Sequence, residues 1–168
     1  MAGTLTQLQF NENGLTEWPN LGPASRVTLL DASKNKLASL PPSLGLLVAL
    51  VTLNLSGNPR LAALPDEIGE LAALESLNVG GCALRELPAA LARCAALKAI
   101  IAMNNPLVRV SPALLDCPSL IRISLDKCTS IDAGDAETAR ALQGLRAKCG
   151  GAKSGLFKLD VSVRLMQA

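Results

Sequence analysis

An α/β solenoid, with one short parallel strand per repeat on its concave side and short 3₁₀ or helical pieces on its convex side, is the fold the sequence predicts. Three observations carry that prediction. Apolar first positions recur at Leu5, Val27, Leu50, Leu74, Leu97 and Leu120. A second series, Asn13, Asn35, Asn58, Cys82, Asn105 and Cys128, keeps the same period, with steps of 22, 23, 24, 23 and 23 residues. Hydrophobic residues make up 49% of the 168-residue chain but aromatics only 2%, so the core is aliphatic and suits many thin, similar layers.

Each unit begins with its strand. In residues 50–65, LVTLNLSGNPRLAALP, apolar positions run L-x-x-L-x-L ahead of an asparagine, the pattern of a leucine-rich repeat. Strand side chains alternate, so Leu53 and Leu55 face inward while Thr52, Asn54 and Ser56 face the other way. The corresponding inward pairs are Leu8/Phe10, Leu30/Ala32, Leu77/Val79, Ile100/Ala102 and Ile123/Leu125. Beyond the strand the chain turns, and backbone groups buried there need partners. An asparagine amide both donates and accepts, so stacked asparagines form a ladder.

The return path starts at Trp18-Pro19, Leu40-Pro41, Leu64-Pro65 and Leu87-Pro88. Apolar residues then step by three, as in Ile68, Leu71 and Leu74, which suits 3₁₀ turns with one buried stripe. Six such units, starting near 5, 27, 50, 74, 97 and 120, fill residues 1–131. Residues 132–168 read as a modified repeat that closes the solenoid. They hold a helix over 135–148, its N-terminus capped from the acidic group Asp132, Asp135 and Glu137, and a last strand near 156–161 with Leu156, Leu159 and Val161. At the other end nothing evident covers the layer of Leu5, Leu8 and Phe10.

The 23-residue unit with its Leu-Pro pair, clearest over 53–79, resembles the intracellular leucine-rich repeats of Ras-pathway scaffolds, scribble-type polarity proteins and plant Ras-group proteins. The resemblance covers residues 5–131. It implies a right-handed horseshoe with a curved parallel sheet on the concave side, and protein binding as the usual activity. Ala32, Cys82, Ala102 and Cys128 depart from the consensus.

Composition narrows the function classes. With no His and no Tyr, Ser-His and Cys-His nucleophilic chemistry and His-bound metal are excluded. No cofactor or metal is expected. Four cysteines fall on structural positions, Cys82 and Cys128 in the ladder and Cys94 and Cys117 on the convex stripe; Cys149 is the one expected to be reactive. Gly80-Gly81 matches no phosphate-binding loop and reads as smoothing of the surface. A formal charge of +2 gives no field for nucleic acid or a membrane surface. The chain shows no export signal or lipid anchor, and five cysteines without paired spacing suggest a reducing compartment. A cytoplasmic setting is expected, the cytoskeleton or a cilium included.

The outward strand positions are the expected contact surface. They are small and uncharged at the centre, turn apolar at Ala99, Ile101 and Met103, and gather charge at the two ends. Asp31, Asn54, Asn78, Ile101, Met103, Arg122 and Ser124 are therefore the candidate partner-binding residues of a non-enzymatic protein-interaction module. The alternative is a small structural subunit of a large assembly, such as an axonemal or cytoskeletal complex, docked through the end face of Leu5, Leu8 and Phe10.

Overall fold

The computed structural model describes residues 6–21, 26–132 and 134–149, together with the backbone of 157–158. Seven strands lie in chain order in one parallel sheet: β1 (Gln7–Gln9), β2 (Leu29–Asp31), β3 (Thr52–Asn54), β4 (Ser76–Asn78), β5 (Ala99–Ile101), β6 (Arg122–Ser124) and β7 (Phe157–Lys158). The register is constant from strand to strand, so Leu30, Leu53, Leu77, Ile100 and Ile123 stack as one inward column. All five are fully buried, as are Ala32, Leu55, Val79, Ala102 and Leu125 in the next column. Strands this short persist because each apolar side chain is sandwiched between its counterparts, burial worth roughly 1.5–3 kcal/mol for a large aliphatic residue. The fold is the leucine-rich-repeat solenoid that the sequence predicts.

The ladder is built from backward-reaching bonds. Asn35 Nδ2 donates to Phe10 O at 2.8 Å, Asn58 Nδ2 to Ala32 O at 3.1 Å and Asn105 Nδ2 to Val79 O at 2.8 Å, each in the preceding repeat. The three amide oxygens accept from Leu15 N, Leu37 N and Leu84 N, again one repeat back. Where cysteine replaces asparagine the donor half survives: Cys82 Sγ reaches Leu55 O at 3.3 Å and Cys128 Sγ reaches Ala102 O at 3.2 Å. The residue before each ladder position has positive φ, from +53° at Lys34 to +70° at Gly57. Gly81, at +67°, belongs to this series, so it serves the turn and not surface smoothing.

On the convex side, 3₁₀ turns occupy Pro42–Leu46, Asp66–Glu70, Ala89–Arg93 and Pro112–Asp116. Each begins directly after an extended residue, Pro41, Pro65, Pro88 or Ser111. Helix α1 (Ala136–Lys148) takes the place of a fifth turn and packs on Pro112–Asp116. Asp135 caps it, its carboxylate accepting from Thr138 N at 2.9 Å. The Thr138 hydroxyl accepts from Val110 N at 3.4 Å, and at the other end of α1 the Lys148 ammonium donates to Leu115 O and Cys117 O, so the helix is tied to the repeat before it at both ends. Leu5, Leu156, Leu159 and Val161 lie outside the described residues. Among the described residues, no helix is long and apolar enough to cross a membrane.

Candidate functional site: the concave sheet face

The shared register places Asp31, Asn54, Asn78, Ile101 and Ser124 in one row across the outward face of the sheet. At about 4.8 Å per strand the row runs roughly 19 Å from β2 to β6. A flanking row holds Leu29, Thr52, Ser76, Ala99 and Arg122. On the other side, interstrand backbone bonds carry the register onward to Ser33, Ser56, Gly80, Met103 and Asp126.

Local bonding orients the row. Asp31 Oδ1 accepts from Ser33 N at 2.9 Å, and Asn78 Oδ1 accepts from Gly80 N at 3.1 Å. Asn54 Oδ1 accepts from both Ser56 N, at 3.2 Å, and Ser56 Oγ, at 2.8 Å. The side-chain oxygens thus close the turn two residues on, a local satisfaction typical of Asn and Asp. Neither Asn54 Nδ2 nor Asn78 Nδ2 has a protein partner among the described residues. Two amide donors on neighbouring strands are therefore available to a ligand.

Next to these donors the surface turns apolar. Ile101 and Met103 are half-buried, less open than the sequence suggests. The reason for Met103 is Gly80: a Cβ there would lie 3.2 Å from Met103 Cγ and 3.3 Å from Asn78 Oδ1, so Met103 lies flat across a glycine floor. The sequence places Gly80 on this face and reads it as smoothing the surface; what it does not show is that Met103 packs over it. Its signal is the one missing side chain in a row of Ser33, Ser56, Met103 and Asp126.

Ser124 needs correction as a contact residue. It is 1% exposed and its hydroxyl donates to Asp126 Oδ2 at 3.4 Å, so it offers a partner almost no surface. Arg122 is exposed, and Asp31 half-buried, leaving opposite charges near the two ends of the face. Beside Asp31, Lys34 pairs with Glu12 at 2.6 Å, and that hydrogen bond with its attraction raises the Lys34 pKa.

The thiols also correct one expectation. Cys149 is 2% exposed and burial raises its pKa, with the Lys148 charge only partly opposing, so it is not a ready nucleophile. Burial likewise raises Cys82, Cys117 and Cys128, and pushes Cys94 up to about 11. Among the described residues no three Cys, Asp or Glu side chains converge as a metal site needs.

These features define a class: a repeat solenoid that offers an open, chemically graded sheet. The comparisons agree. The Leucine Rich Repeat family model matches residues 49–71. The leucine-rich-repeat domain of the type III effector XopL is 28% identical with a TM-score of 0.72, the match covering 76% of this chain and 46% of that one. A leucine-rich-repeat protein of Leptospira interrogans is also 28% identical, with a TM-score of 0.77 over 87% of this chain and 36% of the other. The plant peptide hormone receptor RGFR1, solved in complex with RGF2, is 27% identical with a TM-score of 0.55, over 62% of this chain and 17% of that one. No curated protein matches the chain significantly. The chain has the leucine-rich-repeat fold, carries a segment that the family model matches, and spans less than half the length of each of these three structures. Leucine-rich-repeat domains in general bind protein partners and are typically interaction modules.

Proposed function

We propose that the chain is a non-enzymatic binding module that receives a partner protein on its concave sheet. The carrying observation is the gradient along one register row, from the Asp31 carboxylate through the amide donors of Asn54 and Asn78 to Ile101, with Met103 beside it in the adjoining row. Such a surface suits a helix or loop with hydrogen-bond acceptors at its middle, an apolar side chain for the Ile101 end and a basic group for Asp31. The similarity to a receptor solved with its peptide hormone supports the reading. A reducing cytoplasmic setting is part of the proposal, in keeping with Cys82, Cys94, Cys117 and Cys128, which form no disulfide.

The test is affinity capture from native extract with mass spectrometry, comparing wild type, Ile101→Glu and Phe10→Ser. A buried charge at the centre of an interface costs affinity steeply, so the partner is expected to vanish with Ile101→Glu while circular dichroism stays native. Full retention by a folded Ile101→Glu chain removes the concave-face assignment.

One observation favours a second reading, a subunit of a large assembly such as an axonemal or cytoskeletal complex held by its N-terminal end. Leu8 and Phe10 are only half-buried there, whereas every later inward pair is fully covered. Recovery of a whole complex with Ile101→Glu but not with Phe10→Ser would select it.

A further inference from the structure

The concave face sets different chemistries at fixed intervals. Asp31, Asn54, Asn78 and Ile101 stand on consecutive strands of one register row, and Arg122 stands on the next strand, in the flanking row. At about 4.8 Å per strand, Ile101 lies roughly 14 Å from Asp31, and β6 roughly 19 Å. The two ends differ in sign. Lys34 lies near Asp31 but is committed to Glu12 at 2.6 Å, so that end holds two carboxylates against one cation. At the other end Arg122 has no hydrogen-bond or ion-pair partner among the described residues, and the charge of Asp126 is offset by Lys127 beside it in the chain.

Between the ends the row offers donors without acceptors. Asn54 Oδ1 and Asn78 Oδ1 are taken by Ser56 N and Gly80 N, which leaves the two Nδ2 groups to a ligand. An α-helix laid there answers them poorly, because its interior carbonyls are bonded within the helix. An extended segment brings a free carbonyl at every residue. Its spacing also fits. At about 3.3 Å per residue, 14 Å is about four residues and 19 Å about six. Both counts are even, so side chains at those positions share one face of an extended chain.

We infer that the occupant of the concave face is an extended segment of a partner protein, laid across the strands. It carries a basic residue over Asp31, an aliphatic residue four positions away against Ile101 and Met103, and a carboxylate two positions further on toward Arg122. Its middle carbonyls take the Asn54 and Asn78 amides, main-chain bonds giving affinity and alternate side chains specificity. This rests on the concave-face reading and narrows its helix or loop to one backbone form and one order of side chains.

The probe is the end-blocked heptapeptide Lys-Ser-Ala-Ser-Leu-Ser-Glu, titrated into the full chain and followed by heteronuclear NMR. Saturable binding is expected, with the side-chain NH₂ signals of Asn54 and Asn78 among those that shift. Lys-Ser-Ala-Leu-Ser-Ser-Glu has the same composition but turns its leucine to the far face of an extended chain, while on a helix three and four residues from the lysine are the same side. It should bind at least about tenfold more weakly. Asp31→Asn keeps an acceptor for Ser33 N, as Asn54 and Asn78 do in their own repeats, and removes only the charge. It should weaken the first peptide about tenfold, and glutamine in place of the peptide's lysine should then cost nothing more. No saturable binding up to about 1 mM would overturn the inference. So would equal affinity for the two peptides, the mark of a helical occupant, or additive losses from Asp31→Asn and the glutamine peptide. Self-association of the chain that Ile101→Glu weakens would assign the face to a second copy and overturn it as well. A native partner lost with Ile101→Glu leaves the concave reading standing whatever the peptides do, whereas a partner kept by that variant removes the reading itself.

Discussion

Leu115, on the last 3₁₀ turn, fills the space that Gly144 leaves on α1: a Cβ at Gly144 would stand 2.7 Å from Leu115 Cδ2 and 2.8 Å from Cδ1. The earlier turns carry Gly45, Gly69 and Ala92 at the position of Leu115. Where one 3₁₀ turn stacks on the next, the residue must be small, because the neighbour's backbone is in contact. A Cβ at Gly45 would come within 2.8 Å of Glu67 O, and one at Gly69 within 2.5 Å of Ala90 O. Against α1 the requirement is reversed, with the large residue on the turn and the glycine on the helix. This exchange lets an α-helix end a stack of 3₁₀ turns.

Alanine substitution therefore separates the two kinds of contact. Gly144→Ala gains about 1 kcal/mol of helix propensity but overpacks a methyl group at a cost of about 1–3 kcal/mol. A net loss of about 1 kcal/mol is expected in urea unfolding, and adding Leu115→Ala should turn the same change stabilising. At Gly69 the obstacle is a carbonyl oxygen together with Arg93 Nε at 2.6 Å, and Arg93 also donates to Asp66 O at 2.7 Å. Gly69→Ala should cost about 3 kcal/mol with no single-site rescue. A Gly144→Ala chain more stable than wild type would contradict the packing described.

The ladder predicts an ordering of substitutions at Asn58, which is fully buried and makes bonds to Ala32 O, Leu55 O and Leu37 N. Asn58→Ala leaves these groups unmatched, at about 1–3 kcal/mol for a buried polar group and more for several. Asn58→Cys keeps the donor, as Cys82 and Cys128 do in their own repeats. The cysteine variant is therefore expected to lie between wild type and the alanine variant by at least about 1 kcal/mol on either side, read from chemical denaturation. Equal losses for the two would show that the thiol contacts contribute nothing.

The repeat was legible because the same physical demand recurs every layer. Leu53, Leu77 and Ile100 must be apolar and Asn35, Asn58 and Asn105 must bond backbone, so both series survive in the sequence at one spacing. The candidate surface was legible only as a face. Asp31, Asn54, Asn78 and Ile101 follow from strand alternation, but alternation says nothing of depth, and Ser124 proved covered. The contact of Met103 with Gly80 and the burial of Cys149 were not legible for a related reason. The role of Gly80 depends on where the Met103 side chain lies, and the burial of Cys149 depends on how α1 packs, neither of which is encoded locally.

Burial of the thiols carries a pH dependence. Cys94 is pushed from 9.0 up to about 11, first by burial and then by neighbouring Cys117, with the Arg93 charge opposing. A pKa raised in the folded state contributes stability that is complete below the unfolded value and is lost as pH rises through the folded one. Stability should therefore fall between pH 9 and about 11, more in wild type than in Cys94→Ala measured against its own neutral-pH value. Near neutral pH a thiol reagent should find almost no reactive cysteine in the native chain and all five after denaturation. Rapid native labelling at Cys149 would reverse the assignment made to it.

Gly80 links packing to function. Alanine there adds a methyl group 3.2 Å from Met103 Cγ and 3.3 Å from Asn78 Oδ1. Its φ is not positive, so the backbone accepts the change, and Met103, a flexible side chain, moves aside at a cost of about 1 kcal/mol or less. The concave surface suffers more than the fold, since Met103 then stands away from the sheet and the Asn78 bond to Gly80 N is disturbed. Under the concave-face proposal, Gly80→Ala should weaken partner binding about tenfold, or about 1.4 kcal/mol, with a thermal midpoint within about 3 °C of wild type. Gly57→Ala is the matched control. Gly57 has φ +70°, so alanine there strains the backbone and should lower the midpoint while leaving the affinity of the folded fraction unchanged. Unaltered binding by Gly80→Ala would show that Met103 and Asn78 are bystanders, and the contact surface would then have to lie away from this part of the concave face.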